Sequence, residues 1–157
     1  MRKIFAFLLT FIMALSTTCI AFAGEMPAQS NTYPAEYEYF DDGSYIVTTI
    51  TEEPAVSFAR AAGTKTASKT ATYKSSSGAS LWSVTVTGTF SYNGSSAKCT
   101  SSSVSANSYS SLWKINSKSA SKSGASASAT ATAKYYDSST YKSLSVTLTC
   151  KANGVLS

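Results

Sequence analysis

LWSVTVTGTFSYNG, residues 81–94, decides the fold. Trp82, Val84, Val86, Gly88, Phe90 and Tyr92 fall on one face, and Ser83, Thr85, Thr87, Thr89 and Ser91 on the other. A period of two is the pattern of a strand buried on one side only. The second face is all hydroxyl, with no charge. The same alternation recurs in both directions. TKTASKTATYK (64–74) precedes the stretch across a Ser77-Gly78 turn. SSAKCTSSSVS (95–105) follows Asn93-Gly94, which reads as a type I′ hairpin turn. SYSSLWKINSKS (108–119), GASASATATAKY (124–135) and YKSLSVTLTC (141–150) complete six strands. The alanine-rich run 125–133 contains helix formers, but its strict alternation favours a strand, with Trp82 or Trp113 packed over its small side chains.

These observations predict an all-β fold. The expected architecture is a single antiparallel β-sandwich, Ig-like or a partly open barrel, of about six to eight strands. About a hundred residues suffice for one small core. The chain before residue 60 is different. MRKIFAFLLTFIMALSTTCIAFAG has a basic start, an apolar run and the small-residue site Ala21-Phe22-Ala23. That order predicts a secretory signal peptide over 1–23 and an extracellular product. No later segment is long and apolar enough to span a membrane as a helix. There is no LPxTG-like sorting tail before the final ANGVLS, so the product reads as released.

Charge divides the remainder. Residues 24–59 hold seven acids and no base, a net charge of −7. Residues 60–157 hold Arg60, ten lysines and one acid, Asp137, a net charge of +10. A shift this sharp marks a boundary between Thr51 and Gly63. The reading is therefore an acidic hairpin segment over 24–59, turning at Asp41-Asp42-Gly43-Ser44, and a basic Ser/Thr-rich domain over 60–157. The run YIVTTI (45–50) is apolar on both faces and must lie against something. In an oxidising compartment, Cys99 and Cys150 read as a disulfide, both on apolar strand faces.

The chemistry of catalysis is sparse. There is no histidine, and the basic domain has one acid. General acid–base chemistry and paired-carboxylate hydrolysis lack their groups there. Ser95, Ser111, Ser119 and Ser139 each stand three residues before a lysine, but that spacing puts the two on opposite faces of a strand. Two cysteines without histidine make no tetrahedral zinc site. The reading is no enzyme, no catalytic residue, no metal and no cofactor. What remains is charge. Lys114, Lys118 and Lys122, with Tyr109, are the candidate ligand-binding residues for an anionic cell-envelope polymer or another surface. Nucleic acid is not expected, since no DNA- or RNA-binding motif is present. Tyr73, Tyr136 and Tyr141 join Tyr109 as exposed rings able to stack on sugars.

The passages DDGSYIVTTITEE, LWSVTVTGTFSYNGSSAKCTSSSVSANSYSSLWKINSKSASKSG and SVTLTCKANGVLS cover most of the chain after residue 23. Together they resemble an uncharacterised family of small secreted proteins from Gram-positive, gut-type bacteria. That family pairs an acidic DGSY leader with a Ser/Thr-rich two-cysteine β domain. The resemblance implies compartment and grouping, and no activity. The functional expectation is a secreted, non-enzymatic binding module for cell-wall polymers. The alternative is a bacteriocin-like cationic effector whose acidic pro-segment is cut near Arg60.

Overall fold

The computed structural model describes residues 33–53, 62–136 and 138–157. The expected signal peptide (1–23), with Cys19, and also Arg60 and Asp137 lie outside the described residues. Among the described residues there are eight strands and no helix. They are β1 (Glu36–Tyr39), β2 (Tyr45–Glu52), β3 (Gly63–Lys74), β4 (Ser80–Tyr92), β5 (Ala97–Ser108), β6 (Trp113–Ser123), β7 (Ser126–Tyr135) and β8 (Tyr141–Thr149). All pairs are antiparallel neighbours in sequence. They form a five-stranded sheet, β1-β2-β3-β4-β5, and a three-stranded sheet, β6-β7-β8. The fold is an all-β sandwich.

The opening stretch is β4, central in the larger sheet. Trp82, Val84, Val86 and Phe90 are fully buried against the smaller sheet. Facing them, Ala127, Ala129, Ala131 and Ala133 of β7 are buried too. Bulky β4 thus packs on small β7, which keeps the layers close. Trp82 and Trp113 lie at the Tyr135 end of that run, with ring centroids 6.5 Å apart and Trp113 5.3 Å from Tyr135. At the other end Phe90, not a tryptophan, fills the space. Its ring lies over Gly88, and a Cβ at Gly88 would sit 2.6 Å from the ring and 2.9 Å from Ala127 Cβ.

The hydroxyl faces find partners in each other. On the larger sheet Thr66 pairs with Thr89 (3.1 Å), Ser68 with Thr87 (2.8 Å) and Thr70 with Thr85 (2.8 Å). On the smaller sheet Ser126–Thr149, Ser128–Thr147, Thr130–Ser145 and Thr132–Ser143 span 2.7 to 2.9 Å. Every pair joins residues directly opposite in register. Such pairs contribute about 0.2–1 kcal/mol each, so the polar faces help fix the register that the apolar faces require.

The acidic hairpin belongs to the same sandwich. β2 pairs with β3 along its whole length, from Tyr45↔Lys74 to Glu52↔Ala67. Ile46 joins the core, so YIVTTI does lie against something. Three local expectations need correction. Asn93-Gly94 is not a two-residue turn: β4 ends at Tyr92 and β5 begins at Ala97. The Asn93 carboxamide oxygen accepts from the amides of Ser95 and Ser96, which holds a four-residue loop instead. Tyr73 is not exposed. It is buried between the sheets, and its hydroxyl donates to Ser44 Oγ at 3.1 Å.

The third correction concerns the cysteines. Both face inward as expected, but they are separate buried thiols rather than a bridge. The Cys99 amide donates to Gly124 O (2.8 Å) and the Cys150 amide to Ala125 O (3.0 Å). The turn between β6 and β7 is therefore gripped by both. The sulfurs take different partners, Ser101 O at 3.1 Å and Lys151 O at 3.5 Å. Burial pushes both thiols above their ordinary range, so the nucleophilic thiolate needed for exchange is suppressed. Neither is expected to react with Ellman's reagent in the native protein, and both should label in denaturant without reductant. A denatured, unreduced chain that fails to label at these positions would restore the bridge.

Candidate functional site: a cationic seam

The two sheets meet along one side, where β5 and β6 run beside each other. Ser108 Oγ donates to Trp113 O (2.6 Å) at one end. Lys122 Nζ donates to Thr100 O near the other. An open cleft of about 620 Å³ lies there, lined by Ser96, Ala97, Lys98, Cys99, Lys122, Ser123 and Gly124. Cys99 forms part of its floor, and the Lys122 charge tempers the rise in its thiol pKa that burial causes.

The predicted lysines all lie on β6, exposed, but they do not share one face. Lys118 and Lys122 stand opposite Ala131 and Ala127, on the core-facing side of an edge strand. Lys114 stands opposite Lys134, on the outer face. The cause is a bulge between Ile115 and Ser117, which shifts the alternation by one residue. A bulge of this kind leaves no mark in SYSSLWKINSKS. Tyr109 sits at the far end of the seam, its hydroxyl 3.1 Å from Ser83 Oγ. About nine strand residues, roughly 30 Å, separate it from the Lys122 end. The four residues are therefore spread along a strip of the β5–β6 side, on both faces of β6, and do not enclose a pocket. Lys98 joins Lys122 in the cleft and was missed in the sequence reading. Its signal was its place on the polar face of β5 beside the inward Cys99.

Electrostatics gives the strip its character. The described acids all belong to residues 33–53, at the opposite edge of the larger sheet. Among the described residues the ion pairs are Glu52–Lys65 (3.1 Å) and Glu36–Lys69 (4.0 Å), both between the hairpin and β3. Lys98, Lys114, Lys118 and Lys122 have no carboxylate partner among the described residues. Asp42 is occupied in its own turn. It accepts from the Ser44 hydroxyl and from the Ser44 amide (2.9 Å), and these bonds hold its carboxyl below the ordinary value, with Lys142 adding a smaller pull. No group of three His, Cys, Asp or Glu side chains suited to a metal ion occurs among the described residues. The chain matches no protein-family model, no curated protein and no solved structure.

Proposed function

We propose that this chain is a secreted, non-enzymatic β-sandwich module that associates electrostatically with an anionic polymer of the Gram-positive cell envelope. The observation that carries the reading is the separation of charge. Acids are gathered at the β1–β2 edge, and at the other edge Lys98, Lys118 and Lys122 stand along the β5–β6 seam without acidic partners among the described residues, with Lys114 on the outer face of β6. A strip roughly 30 Å long suits an extended chain of anionic groups better than a single small anion. Lys118 and Lys122, four residues apart on one face of β6, stand about 13 Å apart, so each meets a separate group on the polymer.

The test is co-sedimentation of the full chain with Gram-positive walls, with and without their teichoic acid, at low and high salt. Binding should need the polymer and fade as salt shortens the Debye length from about 30 Å at 0.01 M to about 8 Å at 0.15 M. Replacing Lys98, Lys118 and Lys122 together by glutamine should weaken it by tenfold or more, on the order of 1.4 kcal/mol. Undiminished binding by that variant would refute the seam as the site. The bacteriocin-like reading draws on the pairing of Glu52 with Lys65 and Glu36 with Lys69, by which the acidic hairpin offsets two lysines.

A further inference from the structure

The geometry points to the outer edge of β8 as a docking lane for an extended basic peptide from a separate polypeptide, added as a fourth strand of the smaller sheet. Five strands face three. β8 packs across β3 and β4, so β1 and β2 project beyond it. Among the described residues no strand lies over them. The space left is a groove of about 290 Å³ between β8 and the inner face of the hairpin, with Glu38, Phe40 and Ile46 on the hairpin side and Lys142, Leu144 and Ser145 on the β8 side.

The groove offers hydrogen bonds as well as surface. Thr149 at the end of β8 already exchanges backbone bonds with Ser157 (2.8 and 3.0 Å) on this outer side. Strand periodicity then aims the backbone groups of Tyr141, Ser143, Ser145 and Thr147 the same way. Among the described residues none of these has a backbone partner there. Other edges are defended. β1 has four residues, two of them glutamates, and β5 and β6 shelter each other behind lysines. β8 is nine residues long, with one charge, no proline and no bulge. Such an edge is a ready template for another strand.

Two arguments choose the occupant. Pairing two β8 edges about a twofold axis would drive both projecting hairpins into the same space, so the lane admits one strand and not a second copy. Charge sets the rest. Lys142 lines the same groove and keeps its charge, but it is held over the rings of Phe40 (3.6 Å) and Tyr73 (4.1 Å), while Glu38 has no ion pair among the described residues. The lane therefore favours a basic side chain at Glu38, flanked by small apolar ones over Ile46 and Leu144. Of the chain's own segments outside the described residues, 24–32 carries one charge, Glu25, of the wrong sign, and 54–61, which carries Arg60, would show itself as β8 amides already protected in the dilute free protein.

The experiment is an amide-resolved NMR titration of the full chain with the blocked peptide Ac-TVTKTVT-NH2, with Ac-TVTETVT-NH2 as control. The amides of Ser143, Ser145 and Thr147 should exchange rapidly in the free protein. They should shift and gain protection with the lysine peptide, and the glutamate peptide should bind about tenfold more weakly or worse. Ser145→Pro removes an outward N–H and should abolish the response. Glu38→Gln, at an exposed position, should erase the preference between peptides without disturbing the fold. Three results would each overturn the proposal: amides already protected in dilute monomer, protection that rises with protein concentration, or no shift with the lysine peptide.

Discussion

Gly88→Val is expected to lose about 3 kcal/mol or more of stability and to abolish the fold in a marginal background. Gly88 is a point of close approach between the sheets. The Phe90 ring covers it from the same strand, and Ala127 approaches from β7. Phe90 is fully buried, so its ring has nowhere to swing. A Cβ at 2.6 Å from that ring is inside contact distance before the two γ-methyls are added. Relief requires the layers to part, which would undo the close packing of β4 on the β7 alanines. Gly88→Ala should show the same effect in smaller measure, and Phe90→Leu in that background should recover part of it. The measurement is urea unfolding followed by tryptophan fluorescence, which reports Trp82 and Trp113 directly. A Gly88→Val protein with an unchanged midpoint would mean that the sheets pack more loosely than the structure has them.

That glycine shows how much of the fold was legible in the sequence. Its place on the apolar face of β4 followed from alternation alone, as did the inward alanines of β7. The reason for a glycine there did not, because it depends on Phe90 two residues away and on Ala127 in the other sheet. Strand periodicity is local, whereas layer spacing is not. The cysteines teach the same lesson. Their inward direction was readable, but not that the β6–β7 turn is gripped by both. On the candidate site, the lysines of β6 were found from composition and charge, and the bulge that sends Lys114 to the other face was not. Lys98 was missed because its neighbour in the cleft, Lys122, is distant in sequence. Tyr73 was expected outside because its own strand, TKTASKTATYK, has few apolar residues. The hairpin and Trp113 bury it (Phe40 lies 6.2 Å from its ring and Trp113 5.7 Å).

Removing the acidic hairpin, so that the chain begins after Glu53, is expected to cost about 5 kcal/mol or more and to leave a chain that aggregates instead of a smaller stable domain. Ile46 would be lost from the core, and truncating one such buried side chain alone costs about 2–5 kcal/mol. Tyr73 would lose its bond to Ser44, and Lys142 would lose the Phe40 ring beneath it. Lys65 and Lys69 would lose their carboxylates. β3, twelve residues long, would become an open edge. The acids therefore sit where they complete a sheet, while the seam lysines at the far edge stay uncovered with the hairpin in place. On this reasoning polymer binding needs no cleavage, and the full chain should bind walls as it stands. Thermal unfolding and light scattering of the two chains decide it. A shortened chain that stays monomeric with an unchanged Tm, and binds walls only after shortening, would favour the removable pro-segment over the permanent strand pair.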